Sequence, residues 1–222
     1  MPNERAITIP SGDANLEGVL LLPSSAIDGA AGVAAPLPAV VICHPHPQYG
    51  GSMDNNVVFG AATGVLEHGI AALLFNFRGV GDSDGVVGDR DEARLDALAA
   101  LDFAAQLPEV DAGRVALAGY SFGAGAAAAA ARASIPALAL ISLPLTMLER
   151  ARDVLEAFPG PLLLLSGDRD QGSEEAGLRE LAAASLGAAD VQMVAGVDHF
   201  WGGRERAVAD AVGPFFARAL VG

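Results

Sequence analysis

The sequence predicts an α/β fold in which eight strands form one mostly parallel sheet with helices on both faces. Short apolar runs alternate along the 222 residues with segments of helical period, as expected when crossover helices link parallel strands. Runs such as 40–42 and 162–165 are continuously apolar, which is typical of strands buried on both faces. No repeat or long linker divides the chain, so one domain covering residues 1–222 is expected.

The individual elements follow from local patterns. Residues 6–9 and 16–22 flank a Ser-Gly-Asp turn and predict an opening pair of strands, and the Gly/Ala/Pro-rich stretch 27–38 predicts a loop. The remaining strands are predicted at 39–43, 71–76, 115–118, 137–142, 162–166 and 191–194, and the helices at 55–67, 92–106, 122–132, 147–157, 174–184 and 204–220. Functional residues are expected in the loops at the carboxyl ends of the parallel strands.

Composition excludes several kinds of chemistry. The formal net charge is −14 and the thirteen basic residues are spread singly, so nucleic-acid binding is not expected. All thirteen are arginine, which excludes a P-loop lysine, Schiff-base chemistry and Ser-Lys dyads, because each needs an amine. The single cysteine, Cys43, excludes an internal disulfide and Cys-rich zinc sites. With no signal-peptide pattern and no run near the ~20 apolar residues of a membrane span, a cytoplasmic protein without membrane contact is expected.

The clearest chemical motif is Gly-Tyr-Ser-Phe-Gly at 119–123. A predicted strand precedes it and an Ala-rich helix follows it, and this is the context of a nucleophile elbow, where a sharp turn lifts the serine hydroxyl above the sheet. Ser121 is therefore the candidate nucleophile. The alternative is an ordinary tight strand–helix turn in a chain rich in alanine and glycine.

Hydrolases with such an elbow carry their catalytic serine, acid and histidine in that order along the chain. A general base and an acid are therefore expected after the elbow. Of the four histidines only His199 follows Ser121, and it lies just after the last predicted strand. A capped surface histidine is the alternative interpretation. Two aspartates, Asp168 and Asp170, compete for the acid position after the strand 162–166.

Several motifs together resemble a family of small bacterial α/β-hydrolases that is distantly similar to the dienelactone hydrolases. They are His-Pro-His-Pro with Gly-Gly at 44–55, Asn-Phe-Arg-Gly-Val-Gly-Asp-Ser at 76–83, the elbow, Gly-Asp-Arg-Asp at 167–170 and Asp-His-Phe at 198–200. The resemblance covers roughly residues 40–202 and implies the α/β-hydrolase fold. Its Gly-x-x-Asp pattern favours Asp170 over Asp168, which would then form a turn through bonds to nearby backbone. The segment 143–160, where larger relatives insert a lid, is short enough to predict an open site.

The oxyanion hole is expected at two backbone N–H groups. Aligning His-Pro-His at 44–46 with the usual His-Gly-x places one donor at His46, while Phe122 after the nucleophile supplies the other. The rival interpretation is a metal held by His44, His46 and Asp54. Outside these positions, Arg78 is expected to clamp nearby carbonyls or Asp82, and Cys43 to be a buried strand residue.

The sequence thus predicts a serine hydrolase with the triad Ser121, Asp170 and His199, acting on small or slender carboxylic esters without a cofactor or a metal. A thioesterase, a peptidase or a dienelactone-type hydrolase would use the same residues. A non-catalytic binding module on the same fold is the alternative from another class, and the intact set of three residues argues against it.

Overall fold

One eight-stranded sheet organises the residues that the computed structural model describes, 3–24 and 35–222. Its strand order is β1-β2-β4-β3-β5-β6-β7-β8. The pairs β1–β2 and β2–β4 are antiparallel and all other neighbours are parallel, as the sequence predicts. The strands are β1 (Asn3–Ser11), β2 (Ala14–Leu22), β3 (Leu37–Cys43), β4 (Ala71–Phe75), β5 (Val110–Tyr120), β6 (Leu138–Ile141), β7 (Leu162–Gly167) and β8 (Ala189–Val194).

Six α-helices cover the two faces of the described sheet. One face packs on α1 and α6, and the other on the remaining four helices. None of the helices in the described ranges has both the length and the apolar character needed to cross a bilayer. The helices are α1 (Asn56–Glu67), α2 (Arg90–Ala104), α3 (Phe122–Ala130), α4 (Leu145–Glu156), α5 (Glu175–Ala184) and α6 (Glu205–Leu220).

The continuously apolar strands are explained by two separate cores. Successive side chains of a strand point to opposite faces, so a strand covered by helices on both faces must be apolar throughout. In β3, Val41 joins the core under α2 and α3, whereas Val40 and Ile42 join the core under α1 and α6. The four leucines of β7 alternate between the two cores in the same way.

The structure differs from the predicted elements mainly at their ends. β5 begins five residues earlier than the predicted 115, because Val110 pairs with Leu37 before a register irregularity leads to the pair Val115–Ala39. Of the predicted loop 27–38, residues 27–34 lie outside the described residues, and residues 37 and 38 belong to β3. α4 begins at Leu145, two residues before the predicted start.

Arg78 binds a buried carboxylate rather than the partners expected from the sequence. Its guanidinium lies 2.8 Å from Asp96 Oδ1 and 3.2 Å from Glu92 Oε1, and its backbone N–H donates to Asp96 Oδ2 at 3.1 Å. The Asp96 side chain is fully buried and also accepts from Ser11 Oγ. Asp82, the expected partner, instead donates its N–H to a glutamate in β2. Glu92 and Asp96 are four residues apart, so α2 presents both to Arg78 from one face.

Replacing Arg78 with methionine is expected to destabilise the fold by about 3–5 kcal/mol, because it leaves the buried Asp96 carboxylate without its cation. Urea denaturation measures the change in the free energy of unfolding. Arg132→Met is the matched control, since Arg132 pairs with Asp102 at the surface and its loss should cost less than about 1 kcal/mol. Equal losses in the two variants would contradict a stabilising role for the buried pair.

Candidate active site

Ser121 lies in a strained turn between β5 and α3. Its φ of 55° is unusual for a residue other than glycine, and the residue is partly exposed. The flanking glycines are required sterically: a Cβ at Gly119 would collide with the carbonyl oxygen of Gly123, and one at Gly123 with the carbonyl oxygen of Cys43. The motif therefore forms the strand–turn–helix elbow expected from the sequence.

The three residues expected to form the triad are brought together in one hydrogen-bonded chain. Ser121 Oγ lies 2.8 Å from His199 Nε2, and His199 Nδ1 lies 2.8 Å from Asp170 Oδ2. Because a carboxylate can only accept, Nδ1 carries the proton and Nε2 is free to accept the serine hydroxyl. The residues follow β5, β7 and β8, so the carboxyl edge of the parallel sheet assembles them.

The surroundings of Asp170 keep it ionised. Burial raises the pKa of its fully buried side chain, but hydrogen bonding with His199 and Ser142 and the attraction of His199 outweigh burial, so that its pKa is lowered. The backbone N–H of Gly172 adds a bond of 3.0 Å to Oδ1. At neutral pH the group is thus a carboxylate, the form that can orient and stabilise an imidazolium.

The hydrogen bonds of Asp168 in the described residues lead away from His199, whose Nδ1 is paired with Asp170. Asp168 Oδ1 accepts the N–H of Gly196 at 2.7 Å, and its own N–H donates to the carbonyl of Val194 at 3.1 Å. Both partners lie at the end of β8, and Gly196 is 28 residues from Asp168, so the expectation that the Asp168 side chain bonds to nearby backbone is wrong. Its side chain is exposed and connects two loops that flank the site.

The loop that carries His199 is held by two contacts that the sequence analysis missed. Tyr120 donates its hydroxyl to the His199 carbonyl at 2.6 Å, and the indole N–H of Trp201 donates to Ser142 Oγ at 2.9 Å. Burial, followed by the charges of Asp170 and a neighbouring aspartate, raises the pKa of Tyr120, so the phenol remains a donor. The signal available in the sequence was modest: Tyr120 adjoins the nucleophile, and the only tryptophan lies two residues after His199.

Replacing Tyr120 with phenylalanine is expected to lower kcat about 3- to 30-fold with KM changed less than twofold. The ring stays, but the His199 carbonyl loses its partner, which costs about 1–2 kcal/mol of positioning. Steady-state kinetics with an aryl ester measures both constants, and thermal unfolding serves as the control. A lower melting temperature with unchanged kcat would assign the hydroxyl to folding alone.

The two proposed oxyanion donors lie on adjacent elements. Phe122 is the first residue of α3, where a backbone N–H has no acceptor within the helix. His46 precedes a short 3₁₀ helix, Pro47–Tyr49, and its ring lies 4.7 Å from that of Phe122. Their role as the two oxyanion donors stays a prediction, and neither N–H is bonded to a backbone acceptor in the part of the chain that the structure describes.

His44 is structural in this arrangement. Its Nδ1 lies 2.7 Å from the carbonyl of Pro45, and its Nε2 accepts the N–H of Phe77 at 3.0 Å. Burial lowers its pKa to about 4, against the raising effect of the Pro45 bond, so the ring is neutral. With both nitrogens engaged, His44 cannot serve as the metal ligand of the rival interpretation. Among the described residues, no cluster of three or more His, Cys, Asp or Glu is arranged to hold a metal.

Cys43, at the end of β3, is fully buried as expected. Burial, with a smaller contribution from the charge of Asp96, raises the pKa of its thiol. A protonated and inaccessible thiol is a poor nucleophile, so Ser121 remains the candidate nucleophile at this edge of the sheet.

A largely apolar cavity of about 510 Å³ opens over Ser121 and His199. Tyr49 and Phe200 stand at its rim, with 89% and 73% of their surfaces exposed. None of the described residues that line it is acidic or basic apart from its two histidines. The cavity can thus receive an uncharged, slender group beside the nucleophile. Besides the rim residues, the walls include His46, Phe122, Pro144 and Met147.

Comparisons with known proteins identify the family and the fold. The model of a family described as X-Pro dipeptidyl-peptidase (S15 family) matches residues 14–190. An uncharacterized protein of Rickettsia prowazekii (strain Madrid E) is 31% identical over 172 residues, covering 74% of this chain and 72% of the relative. An α/β serine hydrolase homologue from Coxiella burnetii is 26% identical with a TM-score of 0.80, covering 96% of this chain and 97% of its own. A Xanthomonas campestris α/β serine hydrolase without a lid is 25% identical with a TM-score of 0.79, covering 99% and 96%.

The family match and the structural likeness apply to most of the molecule. The matched range contains Ser121 and Asp170 and ends before His199, whereas the two solved structures cover 96% and 99% of this chain. The eight-stranded sheet and the helices on both faces are those of an α/β-hydrolase. The chain belongs to the X-Pro dipeptidyl-peptidase (S15) family and is a serine hydrolase of the α/β fold.

Proposed function

We propose that this protein is a carboxylesterase that cleaves small or slender esters through the triad Ser121, His199 and Asp170. The observation that carries the proposal is the hydrogen-bonded chain from Ser121 Oγ through the imidazole to Asp170, with 2.8 Å at each link. This chain lies beneath an apolar cavity large enough for a small acyl or alcohol group.

In the proposed mechanism Ser121 Oγ attacks the acyl carbon while His199 Nε2 takes its proton. The resulting oxyanion is held by the N–H groups of Phe122 and His46, and Asp170 stabilises the imidazolium. His199 then protonates the leaving alcohol as the carbon–oxygen bond breaks, and an acyl-enzyme remains. A water molecule, deprotonated by His199, then attacks the acyl-enzyme and forms a second tetrahedral intermediate. When this intermediate breaks its bond to Ser121 Oγ, His199 returns the proton to the serine and the acid is released.

The lining of the cavity favours an ester over an X-Pro dipeptide. A peptide cleaved after X-Pro would bring the free α-ammonium group of X within one residue of the scissile bond, and a buried cation needs a carboxylate partner. None of the described residues that line the cavity carries one, and the Asp170 side chain is buried behind His199. An uncharged acyl group meets no such requirement.

Dipeptidyl-peptidase activity is the second candidate, and the family assignment favours it. It would use the same nucleophile and base, as would a thioesterase or a dienelactone-type hydrolase. The difference lies only in the group that the cavity accepts, so substrates rather than active-site variants distinguish these activities.

The test has two parts. A fluorophosphonate probe should label the wild type at Ser121 and leave Ser121→Ala unlabelled, which separates an enzyme from a binding module. A panel of an aryl butanoate, an alkyl thioester and an Ala-Pro aryl amide then compares kcat/KM. We expect the ester to exceed the Ala-Pro amide by at least about 100-fold. Preference for the amide would replace the esterase proposal by a dipeptidyl-peptidase.

A further inference from the structure

A second cavity of about 410 Å³ adjoins the one above Ser121. The two share Phe122 and Met147, so these side chains form the wall between them. The floor of the second cavity is made of small residues of α3 and α4, and charged side chains, including Arg90 and Arg150, stand at its rim. Beyond this wall, small residues of α3 therefore continue from the cavity above Ser121 towards the charged side chains.

Met147 occupies the passage between the cavities. It lies in the first turn of α4 and packs on α3 at Gly125, where an added Cβ would collide with its Sδ. Gly125 thus admits the methionine side chain, which is partly exposed and has free space on either side. A methionine is unbranched and polarisable, so it can close such a passage and also move aside.

We propose that Met147 determines the length of the substrate group that lies along α3. A short group fits within the cavity above Ser121, whereas a longer one must displace Met147 and continue over the small residues into the second cavity. This inference rests on the proposed esterase activity and specifies its substrate class: esters in which one group is a short apolar chain. The small residues beyond Met147 leave the second cavity accessible once the methionine is shortened.

The experiment compares chain-length profiles. kcat/KM is measured for aryl esters from acetate to dodecanoate, and in parallel for acetates of alcohols of the same chain lengths, because either end of the ester can lie along α3. For each series we compare kcat/KM for the ten-carbon chain with kcat/KM for the four-carbon chain. Met147→Ala should raise this ratio by at least about tenfold in one of the two series. Gly125→Ala should change the chain-length profile in the same series, because its Cβ would collide with Met147 Sδ and force that side chain to shift.

Val154→Ala is the matched control. Val154 is an exposed apolar residue of the same helix that lines neither cavity, so its variant should keep the wild-type profile. If Met147→Ala stays within twofold of the wild-type ratios in both series, while esterase activity still depends on Ser121, the role of Met147 is overturned and the proposed function stands. If no Ser121-dependent ester hydrolysis is found, both are overturned.

Discussion

Replacing Ser121 with alanine is expected to lower kcat by about 10⁴–10⁶ for any ester that the wild type cleaves. The loss is large because the hydroxyl 2.8 Å from His199 Nε2 is the group that forms the acyl-enzyme in the proposed mechanism. Folding should be unaffected, since alanine has the same Cβ as serine and meets the same backbone conformation at φ 55°. Steady-state kinetics and thermal unfolding measure the two effects.

The matched comparison is the double variant Ser121→Ala/His199→Ala. Nucleophile and base act as one unit, so the double variant should be within about tenfold of the single one. A Ser121→Ala protein that retains more than a tenth of the wild-type esterase activity would show that the nucleophile is another residue.

Asp170→Asn is expected to lower kcat by roughly 10³–10⁴ with almost no change in melting temperature. The carboxylate uses Oδ1 for the N–H of Gly172 and Oδ2 for His199 Nδ1. An asparagine that keeps its oxygen on Gly172 must turn its NH₂ group towards His199. The imidazole then carries its proton on Nε2, and this nitrogen can no longer accept the proton of Ser121.

Asp168→Asn provides the internal control for the same substitution. The oxygen of an asparagine can still accept the N–H of Gly196, the bond that the Asp168 side chain accepts among the described residues. Activity should therefore fall less than tenfold on the same ester. If Asp168→Asn were the more damaging change, or if both variants kept wild-type kcat, the assignment of Asp170 would be wrong.

The sequence was sufficient for those features that depend on local pattern. Continuously apolar strands and helical periods predicted the sheet, because every position of a strand buried on both faces must be apolar. Ser121 and His199 were identifiable because the elbow has a steric signature and because only one histidine follows it. Asp168 and Asp170 follow the same strand, and their residue types alone did not separate them; the resemblance to a family did.

Features that depend on distant contacts could not be predicted in the same way. The bond between Trp201 and Ser142 joins residues 59 positions apart, and it depends on how the loops after β6 and β8 meet. Arg78 lies 18 residues from Asp96, and only the docking of α2 reveals that this carboxylate is buried. The position of Met147 over Gly125 likewise follows from the packing of α4 on α3. The periodicity of either helix does not predict which of their residues meet.

The order of the last four strands makes the position of His199 depend on the edge of the sheet. β5, β6, β7 and β8 are neighbours in the sheet in the same order as in the chain, so His199 depends on the edge strand, which pairs with β7 alone in the described sheet. β8 is only half-buried, whereas β5 is fully buried along its second half. Edge segments with few buried contacts open at lower free energy than the core. Fraying at β8 would thus withdraw the base while the elbow stays folded, so inactivation by heat would precede loss of the sheet.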